Sequence, residues 1–262
     1  MKYGFIGCGN MGGAIAKALS KSTKDVMLAN RTMEKAKKLA EELNVKYGTN
    51  EDVAENCEVV FLAVKPQMRQ DVLDSLKDRL LKTKPVLVTM LAGTEMTTLE
   101  SQLGEKLPIV RIMPNTPAAV GKGVILYCRN EAVSDEMLQQ IVTDLQPAGY
   151  LDEIAENLID AGSSVSGCGP AFMYMFINAL ADGGVACGLP REKALKYAEL
   201  TMIGSGELAF SSHKHPEQLK DEVCSPGGST IMGVKALEEG GFRNAAISAV
   251  LAAHKKTGEL GK

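Results

Sequence analysis

Two hydrophobic patterns alternate along the first half of the chain. Short runs of consecutive apolar residues, which predict buried strands, are found at residues 2–6, 26–29, 45–47, 59–63, 85–90, 109–113, 123–127 and around 150. Between them apolar residues recur at helical spacing, as Met11, Ile15 and Leu19 do in the first such segment. Unbroken apolar strands that alternate with amphipathic helices predict a parallel sheet buried on both faces.

The pattern changes at about residue 153, where the strand-like runs cease and long helical patterns begin. We therefore expect two domains, a sheet domain at residues 1–155 and an all-helical domain at residues 156–262. Residues 171–181 are apolar around the whole helix, so they need cover on every side. Because a small helical domain offers little cover of its own, the pattern predicts that this domain packs against a second copy in a homodimer.

Composition and charge indicate small-molecule partners. The 262 residues carry a net charge of -3 and the pI is near 5.8, which is no electrostatic footprint for nucleic acid or an anionic membrane. Residues 161–181 contain no charged side chain, yet glycine, serine and proline fill their first half and leave an apolar helix too short to span a bilayer. We expect a protein that binds neither nucleic acid nor membrane.

Six cysteines are scattered along the chain without a C-x-x-C pair, which favours reduced thiols and a cytoplasmic protein over a disulfide framework. The first twenty residues resemble a signal peptide in hydrophobicity, but a strand, a turn and a helix explain their glycines better. His213 and His215 lie in a turn rich in Ser, Lys and Pro without a third ligand, so we expect no metal site.

A glycine-rich turn joins the first predicted strand to the first predicted helix. Residues 7–12 (GCGNMG) form a G-x-G-x-x-G pattern between a strand and a helix, the context in which this pattern binds dinucleotides. We expect Gly7 to allow the tight turn, Gly9 to let the backbone approach a pyrophosphate, and Gly12 to let helix and strand pack closely. The first domain is therefore predicted to be a Rossmann-type, doubly wound α/β domain.

The end of the second predicted strand indicates which dinucleotide binds. An NAD-selective site places Asp or Glu about twenty residues beyond the glycines, where the carboxylate accepts the ribose hydroxyls. Here Asn30, Arg31 and Thr32 follow the strand, while the nearest acids are Asp25 before it and Glu34 in the next helix. Arg31 and its small polar neighbours supply donors for a 2′-phosphate, which predicts NADPH over NADH; a solvated arginine is the alternative.

Three further segments follow predicted strands, at the edge of the sheet where ligands bind in such domains. They are residues 63–66, 91–94 and 113–117. We expect these segments to line the cofactor cleft and to contribute Ala63, Lys65, Pro66, Ala92 and Asn115.

The second domain lacks the proton donor that ketone reduction requires. Hydroxyacid dehydrogenases with this two-domain plan place a lysine shortly after a glycine-rich segment, whereas residues 166–180 (SGCGPAFMYMFINAL) hold no lysine, histidine or acid. An imine can bind already protonated, and its site needs positioning and an anion hole more than a general acid. The chain therefore favours an imine over a ketone as the hydride acceptor.

The stretch VCSPGGST, residues 223–230, supplies such an anion hole. Gly227, Gly228, Ser229 and Thr230 present backbone N–H groups at the start of a predicted helix, where they can bind a carboxylate without Lys or Arg. The hydroxyls of Ser225 and Thr230 can hydrogen-bond the substrate. A helix cap after a proline-glycine turn is the alternative interpretation.

Together these motifs resemble the pyrroline-5-carboxylate reductase family over essentially the whole chain. The stretches that carry the resemblance are IGCGNMG, NRT, AVKP, RIMPNTP, SGCGPAF and DEVCSPGGST. The family reduces 1-pyrroline-5-carboxylate to L-proline with NADPH or NADH, the last step of proline synthesis. The resemblance implies a Rossmann domain, an interlocked helical dimerisation domain, a substrate loop supplied across the dimer, and a decamer of five dimers as a larger assembly.

The resemblance also assigns roles to single residues. Thr230 matches the threonine that hydrogen-bonds the ring nitrogen, and Asn50 matches a polar residue near the adenosine phosphate. Thr230 is thus the predicted catalytic residue, and the predicted substrate-binding residues are Ser225, Gly227, Gly228, Ser229 and Thr230. The predicted cofactor-binding residues are Gly7, Gly9, Asn10, Met11, Gly12, Asn30, Arg31, Thr32, Asn50, Ala63, Lys65, Pro66, Ala92 and Asn115.

Two positions depart from the family pattern, with Cys168 where serine is usual and Cys224 where threonine or serine is common. Both keep the side chain small, but Cys224 next to the anion hole raises the hypothesis of an oxidisable thiol. Two competing hypotheses concern the activity of the whole protein. One is a reductase of a related substrate, such as the six-membered piperideine carboxylate or a keto acid, and the second is a regulator that binds NADPH without turnover.

Overall fold

The computed structural model describes residues 1–260, in which a mixed α/β region precedes a run of helices. The strands are β1 (Tyr3–Ile6), β2 (Val26–Ala29), β3 (Lys46–Tyr47), β4 (Val59–Leu62), β5 (Val86–Thr89), β6 (Ile109–Met113), β7 (Gly123–Arg129) and β8 (Gly149–Glu153). The helices are α1 (Asn10–Leu19), α2 (Met33–Leu43), α3 (Asn50–Asn56), α4 (Arg69–Thr83), α5 (Met96–Leu103), α6 (Asp135–Leu145), α7 (Glu156–Ser166), α8 (Gly169–Ala186), α9 (Arg191–Ser212), α10 (Pro216–Val223), α11 (Ser229–Glu239) and α12 (Phe242–Leu260).

All strands belong to one sheet with the order β3-β2-β1-β4-β5-β6-β7-β8. Neighbouring strands pair in parallel, as predicted, except that β7 runs antiparallel to β6. The connection between these two strands spans residues 114–122 and is shorter than the dozen or so residues that a parallel crossover needs. The predicted class, a doubly wound α/β domain followed by helices, is confirmed.

The sheet carries a hydrophobic layer on each face. Strands β1, β4 and β5 are buried at every position, which matches their unbroken apolar sequences. On one face Phe5 stacks on Phe61 of the neighbouring strand, with ring centroids 4.3 Å apart and planes inclined by 7°. Strands β1, β2 and β4 pair in parallel, so their carboxyl ends lie at one edge of the sheet, where the loops that follow them are predicted to form the cofactor cleft.

The described chain divides by compactness into two units, residues 1–168 with the segment from residue 253 onward, and Gly169–Ala252. Helix α7 therefore lies in the sheet unit, although the predicted domain boundary after residue 155 assigns it to the helical domain. Arg111 of β6 accounts for this, because its buried guanidinium lies 2.6 Å from the Asp160 carboxylate of α7. The domain boundary at residue 155 stays a prediction.

The unit Gly169–Ala252 is helical and has little core of its own. Its buried hydrophobic cluster consists of Ala181, Ala194 and Ala198, which join α8 to α9. Large side chains of α8 are exposed instead, including Tyr174 at 60% and Met175 at 74%. The cover expected around residues 171–181 is therefore not supplied by this unit alone.

Among the helices of residues 1–260, none combines the length and the apolar character that crossing a membrane requires.

Candidate active site

The glycine loop after β1 depends on the small size of two of its glycines. Gly7 has a φ of 107°, and a Cβ atom there would lie 2.5 Å from the carbonyl oxygen of Ala63. A Cβ atom at Gly12 would lie 2.3 Å from the carbonyl oxygen of Gly7. Larger residues at positions 7 and 12 would therefore push α1 away from β1 and β4, in agreement with the roles predicted for these two glycines.

Gly9 differs from them, because a Cβ atom there would meet nothing within 4 Å. It is the N-terminal cap of α1 and makes no side-chain capping bond. The first N–H groups of a helix have no acceptor within the helix, so those of Asn10, Met11 and Gly12 remain available for an anion. An open position directly before these donors suits the close approach of a pyrophosphate.

Asn30 links the glycine loop to the loop after β2. Its side-chain Oδ1 accepts a hydrogen bond from the N–H of Cys8 at 3.1 Å, and its Nδ2 donates to the carbonyl oxygen of Thr32 at 3.1 Å. The amide thus bonds to both loops and holds them beside each other. Arg31 and Thr32, whose side chains are exposed, stay the predicted donors for the cofactor.

The two loops open on a cleft of about 410 Å³ at the carboxyl ends of β1, β2 and β4. Eight of its lining residues are among those predicted for the cofactor, namely Gly7, Gly9, Asn30, Arg31, Thr32, Asn50, Ala63 and Lys65. Val64 lies in the segment 63–66 that was expected to line the cleft, whereas the sequence interpretation missed Ile6, Lys35, Met68 and Val72. Lys35 carried a usable signal, since it lies in the first turn of the helix that follows Arg31.

The charged side chains that line this cleft are all positive. Its lining contains three cations, Arg31, Lys35 and Lys65, and no carboxylate. Within the described residues none of the three forms an ion pair with an acid. Uncompensated cations at one end of a dinucleotide cleft suit a ligand with an additional phosphate, because each cation can approach it without losing another partner. The residues present therefore fit NADPH.

Asn50 reaches the cleft because α3 begins at this residue. A capping box fixes that start: Thr49 Oγ1 accepts from the N–H of Asp52 at 3.1 Å, and Asp52 Oδ2 accepts from the N–H of Thr49 at 2.8 Å. The hydrogen bond from the N–H of Thr49 to Asp52 Oδ2 lowers the pKa of the Asp52 carboxyl. This local motif accounts for a position that the sequence interpretation reached only through family resemblance.

The other predicted cofactor residues lie outside the lining of the cleft. Asn10 lines a neighbouring groove that shares Gly9 and Lys35 with it. Met11 and Gly12 lie in the first turn of α1, and Ala92 follows β5. Pro66 begins a short 3-10 turn directly after Lys65. Roles for these residues stay predictions.

The side chain of Asn115, the last of the predicted cofactor residues, forms hydrogen bonds within the fold. It is buried, its Nδ2 donates to the carbonyl oxygen of Ser166 at 2.9 Å, and its Oδ1 accepts from the N–H of Val124 at 2.9 Å. Both polar ends of the side chain thus hold β7 and the end of α7 in place. The amide keeps a second N–H and a second acceptor lone pair, so these bonds give Asn115 a positioning role within the fold, and its contact with the cofactor stays a prediction.

The predicted substrate loop, residues 224–228, connects α10 to α11. Gly227 has a φ of 70°, and the N–H of Gly228 donates to the carbonyl oxygen of Ser225 at 3.0 Å. A Cβ atom at Gly228 would lie 2.4 Å from the hydroxyl of Ser225. The positive φ favours glycine at position 227, whereas a side chain at position 228 would require the Ser225 hydroxyl to rotate away.

Helix α11 begins at Ser229 with Gly228 as its cap and without a side-chain capping bond. Ser225, Ser229 and Thr230 are all exposed, so their hydroxyls are open to a ligand. Gly228 caps the helix directly after the Pro226–Gly227 turn, as the alternative interpretation of a helix cap expects, so a binding role for this loop stays a prediction. Free N–H groups at a helix start surrounded by hydroxyls can bind a carboxylate and hydrogen-bond a neighbouring N–H.

The two histidines considered as ligands have local structural roles. His213 ends α9 with a φ of 55°, and His215 caps α10 through a bond from the N–H of Glu217 to its Nδ1, at 3.2 Å. Within residues 1–260 no group of three or more His, Cys, Asp or Glu side chains is arranged to hold a metal ion.

The fold and the cleft define a class of protein, an oxidoreductase with an NADP-type Rossmann domain and a separate helical domain. Models of two known families match the corresponding parts of the chain. Residues 2–93 match the family described as NADP oxidoreductase coenzyme F420-dependent, and residues 156–260 match the one described as pyrroline-5-carboxylate reductase dimerisation.

Individual relatives agree with these matches. The chain is 40% identical to a pyrroline-5-carboxylate reductase of Pisum sativum, over 98% of this chain and 95% of that protein. It is 36% identical to the Escherichia coli reductase, over 100% and 98%. A crystal structure of Plasmodium falciparum pyrroline carboxylate reductase with NADP bound matches with a TM-score of 0.90 at 32% identity, over 100% of this chain and 98% of that one. This chain belongs to the pyrroline-5-carboxylate reductase family, which confirms the resemblance inferred from its motifs.

Proposed function

We propose that this protein reduces 1-pyrroline-5-carboxylate to L-proline with NADPH, the final step of proline biosynthesis. The observation that carries the proposal is full-length similarity to reductases of this name, one of them solved with NADP, in a chain whose cleft has three cations and no carboxylate. NADPH, when bound, supplies the hydride for the carbon of the imine bond.

The residues of the chain bind and orient rather than transfer protons. The substrate carboxylate accepts hydrogen bonds from N–H groups at the start of α11, where the helix dipole favours an anion. Thr230 accepts a hydrogen bond from the protonated ring nitrogen and so stabilises the cation that reacts. As the hydride adds to carbon, the electron pair of the C=N bond moves to nitrogen, and the neutral amine of proline results without a general acid.

The assembly and location follow from the same assignment. The helical domain forms a homodimer that covers the exposed apolar side chains of α8. The decamer of five dimers and the cytoplasmic location are proposals that rest on the family resemblance. Light scattering at micromolar concentration measures the mass directly. A monomeric mass there would contradict the dimer, and a dimeric mass would contradict the decamer.

The assay mixes purified protein with 1-pyrroline-5-carboxylate and follows oxidation of NADPH and NADH in parallel. We expect turnover that favours NADPH, and Arg31→Ala should raise the KM for NADPH by roughly tenfold, as the loss of a charge-assisted phosphate contact does. An unchanged KM in this variant would support the alternative of a solvated Arg31. Folded, dimeric protein that oxidises neither cofactor would contradict the proposed activity and direct the test to piperideine carboxylate and to NADPH binding alone.

The role of Thr230 is tested with a matched pair of variants. Thr230→Val keeps the shape and removes the hydroxyl, and we expect kcat/KM to fall by roughly 30- to 100-fold. Thr230→Ser keeps the hydroxyl and should stay within about fivefold of the wild type. Equal losses in the two variants would mean that the site needs the methyl group and not the hydrogen bond.

A further inference from the structure

Helices α10 and α11, which flank the proposed substrate loop, contain no residue that this chain alone buries. The polar contacts that join them within the chain therefore contribute to their relative position. The position of the loop between them depends on the same contacts.

Arg243, in the first turn of α12, joins the two helices at the ends remote from the loop. Its Nη2 lies 2.9 Å from Oε1 of Glu217, at the start of α10, and its Nε lies 2.5 Å from Oε1 of Glu238, at the end of α11. One guanidinium thus bridges both arms of the hairpin. A lysine, with a single ammonium group, cannot reproduce this two-sided geometry.

The bridge is extended on both sides. Lys220 Nζ contacts the second carboxylate oxygen of Glu217 at 2.8 Å, so Glu217 is paired with two cations. On the other side Phe242, directly before Arg243, packs against Phe176 of α8, with ring centroids 5.4 Å apart. The hairpin is therefore connected through Arg243 to a residue that is anchored on the longest apolar helix of the unit.

Protonation agrees with a permanently ionised cluster. Hydrogen bonds from Lys220 and Arg243 lower the pKa of Glu217, and bonds to Glu238 and Glu217 raise the pKa of Arg243. Glu217 and Arg243 are therefore charged across the range in which the enzyme is assayed. The bridge responds to ionic strength and not to pH near neutrality.

We propose that Arg243 is a positioning residue of the substrate loop, which sets the separation of α10 and α11 and thereby orders residues 224–228. The inference rests on the proposed function of that loop. Exposed ion pairs stabilise a fold only slightly, but a bridge of three side chains that orients a binding loop affects substrate affinity more than it affects folding.

The test compares Arg243→Gln with Lys235→Gln in the full-length protein. Lys235 is a matched control, because it is exposed on α11 and pairs only with Glu239 of the same helix. We expect Arg243→Gln to raise the KM for 1-pyrroline-5-carboxylate by roughly three- to tenfold, with the KM for NADPH unchanged. Lys235→Gln should leave both constants within about twofold, and Arg243→Lys should fall between.

Ionic strength supplies a readout that a purely structural role would not move. The ratio of the variant KM to the wild-type KM should fall towards one between about 0.05 and 0.5 M KCl, since salt screens the bridge in the wild type. If Arg243→Gln is misfolded, Glu217→Gln and Glu238→Gln should each raise the same KM. A substrate KM that is unchanged in folded variants would overturn the inference, whereas absence of turnover in the wild type would contradict the proposed function instead.

Discussion

The two compact units of this chain treat hydrophobic burial in opposite ways. In the sheet unit β1, β4 and β5 are buried at every position, whereas the buried hydrophobic cluster of Gly169–Ala252 consists of three alanines. Burial of apolar surface drives folding, so the sheet unit shapes its cleft with its own core. The helical unit leaves large side chains exposed, and it holds its loop-bearing hairpin with ion pairs. The cleft of the sheet unit is thus shaped by the buried core of that unit, whereas the loop of the helical unit depends on contacts that remain exposed.

The largest expected effect breaks the close packing of the sheet unit. Gly12→Ala places a methyl group 2.3 Å from a backbone oxygen and should lower the free energy of unfolding by about 2–4 kcal/mol, measured by urea denaturation. Gly9→Ala is the control, because the space around Gly9 is open. It should fold normally and weaken NADPH binding by roughly tenfold or more. Equal destabilisation by both substitutions would contradict the distinction between a packing glycine and a ligand-approach glycine.

The second effect tests whether an exposed apolar residue contributes to self-association in the helical unit but not in the sheet unit. Met175 in α8 and Val120 in the sheet unit are almost equally exposed, at 74% and 75%. Met175→Glu should raise the dimer dissociation constant about a hundredfold, because a carboxylate must be buried on association. Val120→Glu should leave it unchanged. Sedimentation at several concentrations measures both, and a dimer that tolerates Met175→Glu would place the self-association surface elsewhere.

The third effect sharpens the electrostatic description of the cleft. Lys35→Gln should raise the KM for NADPH by about fivefold and change the KM for NADH by less than about twofold, since only NADPH carries the additional phosphate. Lys38 lies nearly one helical turn away and outside the cofactor cleft, so Lys38→Gln is the control. If both cofactors lose affinity equally, Lys35 contacts the shared part of the dinucleotide.

A fourth effect concerns buried thiols of the sheet unit. Burial raises the pKa of Cys57 and of Cys128 to about 11, from a usual value of 9.0. Between these values the unfolded chain loses protons that the folded chain retains, so stability should decline as pH rises from about 9 to 11. The urea midpoint of a Cys57→Ala, Cys128→Ala variant should fall less over that range. A wild-type midpoint that stays constant would contradict the raised values.

The cofactor site shows how far local sequence patterns reach. A strand, a glycine turn and a helix are all specified within residues 2–19, and the structure places Gly7, Gly9, Arg31 and Asn50 around one cleft. The lysine at position 35 escaped notice because its entry into the cleft depends on how α2 leaves β2. Asn115 was assigned to the cofactor for its place after a strand, and only the structure shows that its amide also bonds within the fold; its cofactor role stays a prediction.

By itself the sequence determined the alternation of strands and helices, the dinucleotide cleft, the helical second domain and the family, because each depends on residues close together in the chain or on long motifs. The tertiary structure decided the reversal of β7, the attachment of α7 through Arg111 and Asp160, and the bridge from Arg243 to both α10 and α11. These features join residues distant in sequence, and their existence depends on distances of a few ångströms that no local pattern encodes.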